Sequence, residues 1–438
     1  MSESRETDRT YKEFVSRPDH SLNCLYGMPL KVLICGGGVA GPALAYWLTR
    51  TGHQVVIVER FPVLRAKGAQ IDLRGQGIEV IKRMGLSDAV RSKLIDEPGF
   101  SIIDAKGNVK GNILANKSGQ GAQSLTSEYE IMRGDLVRIL HEATKDNVEY
   151  IFGKTVDSFT ENDQGVVAYF SDGSSDAFDL LVGADGQGSH IRRDILPPGA
   201  PNEYHQLGVH MAYWFVPSTD TDNNMCKLHI SPGGRMIMSR SHNKTETQVY
   251  FILISDSEEL RDIPKGSVEQ QKHFWAEKFR DAGWQTGRFI EGMRDTENWF
   301  CQNVVQIKTD TWHSNRVVLL GDAAHCPSPL TGMGTTSSLV GAYILAGELA
   351  RSEDLPKAFR NYSRIMRPFI DEVQQFNIWW IRWAIPKSQW AIALVYLLVQ
   401  LACFLHIPQL ISRFSHDGDG DWKLPDYPEL GPDQEEIQ

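Results

Sequence analysis

The sequence predicts an α/β chain in which a parallel, helix-wrapped sheet is interrupted by an inserted antiparallel-sheet domain and followed by a C-terminal helical segment. Three observations lead there. The run LKVLICGGGVAGPALAYWLTRTGHQVVIVER, residues 30–60, reads as strand, glycine turn, helix and strand. Between residues 208 and 255, the runs GVHMAYWFVP, CKLHISPGGRMIMSRS and TQVYFILISD alternate partially with a two-residue period, and the second contains a Pro-Gly-Gly turn. At residue 316 an apolar strand, RVVLL, again runs through Gly and Pro into a long helix.

Taken in order, residues 1–29 are polar and charged and lack the apolar core of a signal peptide, so they read as a flexible extension of a cytoplasmic protein. Within residues 30–60, Gly36, Gly38 and Gly41 form GxGxxG after a strand, and Glu59 closes the second strand. The first glycine permits the tight turn, the second lets backbone approach a pyrophosphate, and the third lets helix and strand pack closely. Glu59 can accept from a ribose hydroxyl. This is the Rossmann-like signature of a dinucleotide site. The domain is read as discontinuous, residues 30–200 and 300–375, around a sheet domain at 201–299 that includes a polar helix over 267–282. One face of that sheet is a suitable wall for a ligand cavity.

The remaining segments are the C-terminal helices, 376–414, and an acidic, solvated tail, 415–438. Residues 390–407 are strongly apolar but hold Gln400 and His406, and Pro386 and Pro408 bracket them. That length is at the short limit of a membrane span, and it equally suits a packed helix or weak contact with a membrane surface.

Composition excludes several functions. A net charge of -10 with no clustered basic face argues against nucleic acid as a partner. The six cysteines are scattered without a CxxC pair, which fits reduced intracellular thiols rather than disulfides or a zinc site. There is no HExxH and no nucleophile elbow. No metal site is expected, and no oligomeric state is fixed.

Three separated pieces carry a family resemblance: the GxGxxG unit, DLLVGADGQGSHIRR with Asp185, Gly186, Ser189 and Arg192, and RVVLLGDAAHCPSPLTGMG with Gly321, Asp322, Pro327 and Gly332. Their order and spacing resemble the FAD-dependent aromatic hydroxylases, single-component flavoprotein monooxygenases of the p-hydroxybenzoate hydroxylase fold. The runs GAQIDLRGQGIEVIKRMGL and SPLTGMGTTSSLVGAYILAGEL are most similar to the tetracycline-modifying branch and its fungal and bacterial relatives. One departure is Gly341, where many relatives carry Asp.

The resemblance implies that Gly36, Gly38 and Gly41 hold the FAD pyrophosphate, Glu59 the adenosine ribose and Asp322 the ribityl chain. It places Asp185 and Gly186 beside FAD and the passing nicotinamide nucleotide, Arg133 near the flavin chain, and Arg60 and Arg65 near the adenosine and phosphates. The turn over 327–334, with Pro327, Gly332 and Gly334, would aim backbone N–H groups at the isoalloxazine, where reduced flavin is negative; a helix N-terminus stabilises such an anion by about 0.3 to 2 kcal/mol. Asp72 and Arg74 fall beside the cavity or form a surface ion pair, and His325 is either a proton-transfer group or a packed histidine. The implied reaction uses NADPH or NADH as a transient reductant and O2, through a flavin C4a-hydroperoxide, on an aromatic or polycyclic small molecule. Met211, Tyr213, Trp214 and Met236 are expected in its apolar wall or in the core. Two readings compete. One is epoxidation, oxidation or halogenation, the last prompted by WWIRWAIP at residues 379–386; the other is a non-catalytic binding protein on the same fold.

Overall fold

The computed structural model describes residues 28–66, 68–115, 128–200, 203–407 and 422–431. Most of the proposed N-terminal extension and the ends of the acidic tail lie outside these residues. The first sheet has five parallel strands in the order Val317–Leu319, Leu180–Gly183, Lys31–Cys35, Gln54–Glu59 and Val148–Phe152. Its central strands are apolar on both faces because both are covered: helix Ala40–Arg50 packs on them, and the small antiparallel sheet of Val156–Glu161, Val166–Phe170 and Ser175–Phe178 joins the same core. Helix Ala40–Arg50 packs against helix Gly334–Arg351, which is buried from Thr336 to Ala350. The amphipathic helix Leu355–Val373 then screens that buried helix from water.

A seven-stranded sheet forms the second layer. Its order is Phe300–Ile307, Tyr204–Pro217, Glu246–Ile254, Arg235–Arg240, Cys226–Ser231, Gly99–Ile103 and Val109–Leu114, antiparallel except where Cys226–Ser231 pairs in parallel with Gly99–Ile103. The Pro-Gly-Gly turn splits the second predicted run into a hairpin. The sheet therefore draws strands from both sides of the 201–299 span. The expected polar helix is Val268–Phe279, started by a capping box in which Ser267 accepts from the Gln270 N–H and the Gln270 side chain accepts from the Ser267 N–H.

Two-residue alternation divides this sheet into two faces. Ala212, Trp214, Val216, Ile237, Val249 and Phe251 pack against the helices Val268–Phe279 and Thr286–Asp295. Met211, Tyr213, Met236, Tyr250 and Ile252 point the other way, toward Leu330 and the C-terminal helices.

The solvated-tail reading fails over residues 422–431. Tyr427 is buried against helix Gly334–Arg351 and donates to Glu348 Oε1 at 2.9 Å, and Trp422 stacks near Phe369 at 4.8 Å. Arg351 pairs with Glu429. Aromatic residues inside an acidic stretch supply the apolar area that makes docking favourable.

Candidate active site

The first glycine turn joins strand Lys31–Cys35 to helix Ala40–Arg50. Gly36 has φ +120°, and a Cβ there would lie 2.3 Å from the Ala184 carbonyl oxygen. A Cβ on Gly41 would lie 2.1 Å from the Gly36 carbonyl oxygen. These two positions need glycine for the backbone itself. Gly38 differs, because a Cβ there meets only Arg133 Nη2, at 3.3 Å. The space in front of Gly38 is a cradle that a side chain would fill, and it faces a guanidinium. Glu59 lies at the same turn, its Oε2 accepting from the Gly37 N–H at 2.8 Å and its Oε1 from the Phe61 N–H at 3.1 Å.

The Ala184–Asp185–Gly186 segment lies against this turn. Asp185 Oδ2 accepts from the His190 N–H at 2.8 Å, while its buried Oδ1 has no hydrogen-bond partner. Around Gly186, at φ +82°, a Cβ would meet nothing within 4 Å. An unpartnered carboxylate oxygen beside open space calls for a donor from outside the protein. Arg192 is fully buried and ties this segment to the late turn, donating to the Gln187 carbonyl at 2.7 Å and the Ala323 carbonyl at 2.8 Å.

The late turn comes close to the first. A Cβ on Gly321, φ +62°, would lie 3.0 Å from Ala40 Cβ. Burial raises the Asp322 carboxyl above the usual carboxylate range, and the Arg133 guanidinium opposes that rise, so Arg133 bears on both turns. Gly334 would bring a Cβ within 3.8 Å of Asp322 Oδ1 and 4.0 Å of Pro327 Cγ. Gly332, left-handed at φ +67°, would bring one within 3.3 Å of Asp72 Oδ2 and 3.5 Å of Arg74 Cζ.

Asp72 and Arg74 therefore stand at the turn rather than on the open surface. They pair at 2.8 Å with both side chains mostly covered, and the Arg74 N–H donates to Thr336 Oγ1 at 3.1 Å. Arg65 stacks on Phe61 and Phe300 and lies near Arg133 and Tyr213, whereas Arg60 is exposed beyond Glu59.

For His325 and Trp214 the structure shows the packed alternative. His325 does not join Asp72 and Arg74: its buried ring lies against Trp312 and 3.5 Å from Tyr362 Oη, and burial pushes it down to about 3, so it is neutral. Trp214 belongs to the opposite sheet face, donating to the Phe289 carbonyl at 3.1 Å. A groove of about 1110 Å³ behind His325, lined by His205, Lys308, Trp312 and Arg367 among others, includes none of the glycines of the two turns.

One polar cluster was not read from the sequence. Arg240 pairs with the buried Glu97 and Glu130, and Gln70 donates to Glu130. Burial pushes Glu130 up to about 8, with Asp72 and Glu97 adding to the rise and Arg240 opposing it. Glu130 is the cross-strand partner of Asp72, so the cluster adjoins the ion pair at the turn. Sequence separations of 110 and 143 residues leave no local signal for it.

Two glycine turns brought together, with an acid at the end of the second strand and another in the late turn, define a flavin-nucleotide fold. Residues 29–377 match the FAD binding domain family, so the chain belongs to that family, and it is an FAD-dependent monooxygenase. It is 38% identical to the FAD-dependent monooxygenase asL4 of Sarocladium schorii, over 92% of this chain and 99% of that one. It is 37% identical to the flavin-dependent monooxygenase eupH of a Phoma species, with the same coverage. Among solved structures, tetracycline destructase Tet(51) superposes with a TM-score of 0.73 at 29% identity, covering 91% of this chain and all of that one. The non-catalytic reading is thereby removed. In the halogenase-like segment, Trp379, Trp380 and Trp383 face outward.

Proposed function

We propose that the enzyme uses NADPH or NADH and O2 to hydroxylate a phenolic or polycyclic small molecule held between the large sheet and the 327–334 turn. The observation that carries this reading is a single apolar cluster. It joins the sheet face bearing Met211, Tyr213, Met236 and Tyr250 to Leu330 of that turn. A polycyclic ring system has a matching surface there, and the few polar groups nearby, Gln248, Asp72 and Arg74, can orient it.

In this reading Gly36, Gly38 and Gly41 hold the FAD pyrophosphate at the N-terminus of helix Ala40–Arg50, where unpaired N–H groups and the helix dipole favour anions. Glu59 retains lone pairs for a ribose hydroxyl besides the two N–H groups it already accepts. Asp322 accepts from the ribityl chain, Asp185 Oδ1 and Gly186 line the edge of the cleft, and Arg133 balances charge between the turns. Bound FAD would supply two-electron transfer from NAD(P)H and activation of O2. One oxygen atom enters the substrate and the other leaves as water, with two electrons from NAD(P)H and two from the substrate C–H bond that is oxidised. The chain's own contribution is to keep the reacting face dry: Leu330, Met211 and Tyr213 exclude water, and Gly332 and Gly334 keep side chains off the turn. His325, neutral and packed, serves the fold rather than proton transfer.

The test is a panel of phenolic and polycyclic compounds offered to the flavin-loaded enzyme with 18O2. At least one should accelerate NADPH or NADH oxidation about tenfold and take up one labelled oxygen per reductant consumed. Reductant oxidation that yields only peroxide across the whole panel would refute the proposal.

A further inference from the structure

We infer that the C-terminal helices Trp379–Ala384 and Gln389–Phe404 form a docking surface for an anionic lipid bilayer. This inference is independent of the substrate reading. Helix Gln389–Phe404 lies on the edge strand Val109–Leu114, with Val399 and Cys403 over Gly111 and the Tyr396 hydroxyl donating to the Ile103 and Ile230 carbonyls. Its inward stripe is apolar, as expected of a packed helix. Its outward stripe is apolar too, where a soluble helix carries charge. Leu394, Leu397, Leu398, Leu401 and Leu405 are 47–60% exposed, Trp390 is 74% exposed and Phe404 80%. Helix Trp379–Ala384 adds Trp379, Trp380 and Trp383 at 67–75%.

At roughly 200 Å² per aromatic side chain, the four tryptophans and Phe404 alone expose on the order of 700 Å². The largest apolar patch on a typical monomer is about 300–600 Å². A surface of this size has an occupant, and two features select lipid. First, it is dominated by tryptophan, the side chain that partitions to the headgroup boundary because its body is apolar and its N–H is wet. Second, residues 373–416 contain no Asp or Glu, in a chain with 55 of them, and the exposed Lys387 stands between Trp383 and Trp390, while Arg382 is held by Asp256. An anionic headgroup layer complements that lysine and meets no carboxylate within the run. Residues 1–27, with nine charged side chains, are poorly suited to cover an apolar face.

The contact is in-plane. Among the described residues no helix is long and apolar enough to cross a membrane, and 16 residues reach only about 24 Å against a hydrocarbon core of about 30 Å. The inner sides of the same helices, Ile378, Ile381 and Ile392, join the apolar cluster that holds Tyr213 and Leu330.

The flavin-loaded full chain is mixed with vesicles of phosphatidylcholine and phosphatidylserine in a seven-to-three ratio, or of phosphatidylcholine alone. The mixed vesicles should pellet the protein at least about tenfold above the lipid-free control, and brominated acyl chains should quench its tryptophan emission. The variant W379S/W390S/L397S/F404S should lose that binding while keeping the flavin spectrum and circular dichroism of the wild type. Protein that stays in the supernatant with both vesicle types overturns the proposal, as does equal binding to both compositions. Light scattering that finds a dimer, made monomeric by W390S/L397S and indifferent to lipid, overturns it in favour of self-association.

Discussion

Gly38→Val adds an isopropyl group at a position where the protein itself leaves room. A Cβ there touches only the far end of Arg133, at 3.3 Å, and Gly38 is not among the residues with positive φ. At Gly41 the same change would drive a Cβ to 2.1 Å from a carbonyl oxygen. Gly38→Val should therefore fold and lose its cofactor, whereas Gly41→Val should fail to fold. Hydrogen bonds from backbone N–H groups to a charged phosphate contribute about 1.5–3 kcal/mol each. Displacing the pyrophosphate from two of them weakens FAD binding by about 3–6 kcal/mol, or roughly 10² to 10⁴ in Kd. The cost to the apoprotein should stay within about 1 kcal/mol, because Gly38 is partly exposed, precedes the helix and would bring its Cβ against no backbone. The assay pairs flavin-fluorescence titration with thermal unfolding of the same apoprotein. FAD bound within about threefold of wild type would refute the assigned pyrophosphate position, and an apoprotein as unstable as Gly41→Val would refute the claim of room.

Asp322→Ala should weaken FAD by about tenfold or more, the loss expected for one charged hydrogen bond; an unchanged titration curve counts against its role. Glu130 gives a pH signature. Its carboxyl is held at about 8 in the fold against an ordinary 4.5, so between those values the folded chain keeps a proton that the unfolded chain has lost. Stability should fall as pH rises from about 5 to 8, by at most about 1.4 kcal/mol per unit, and level off above. Glu130→Gln should flatten that slope in urea unfolding; an unaltered slope would place the titration elsewhere. Gly347→Ala puts a Cβ 2.3 Å from the Tyr427 ring. It should displace residues 422–431, cost about 2–4 kcal/mol by analogy with loss of a buried aromatic, and open that segment to protease. Digestion at the wild-type rate would show that the docked tail tolerates the change.

The parts legible in the sequence are those where backbone geometry dictates residue type. Gly36 and Gly41 are fixed by carbonyl oxygens that leave no room for a Cβ, and Gly321 and Gly332 by left-handed φ, so their spacing survives in the string of letters. Two-residue alternation likewise announced the sheet, but not which face would meet the cleft. Met211 and Tyr213 lie on one face and Trp214 on the other, a difference of one residue that composition does not reveal because both faces are buried. His325 shows the same limit: adjacency to Asp322 in sequence did not bring its ring to the cleft, because one short helical turn directs it toward Trp312 and Tyr362.

What stayed hidden was decided by long-range pairing. Asp72 reads from sequence as half of a local ion pair with Arg74, yet its setting is made by strand Glu130–Met132, which places Glu130 opposite it, and by Arg240 from the far sheet. The two-stranded sheet of Gln70–Asp72 and Glu130–Met132 is thus joined to the seven-stranded sheet by a buried cluster in which two glutamates share one arginine. Removing Arg240 would leave the buried Glu97 carboxylate uncompensated beside the protonated Glu130, so Arg240→Met should cost about 3–5 kcal/mol, as for a broken buried ion pair, whereas Glu97→Gln/Glu130→Gln/Arg240→Met together should recover much of that loss. Urea unfolding of both variants measures it. If the triple variant is no more stable than Arg240→Met alone, stranded charge is not what the cluster controls, and its role reduces to shape.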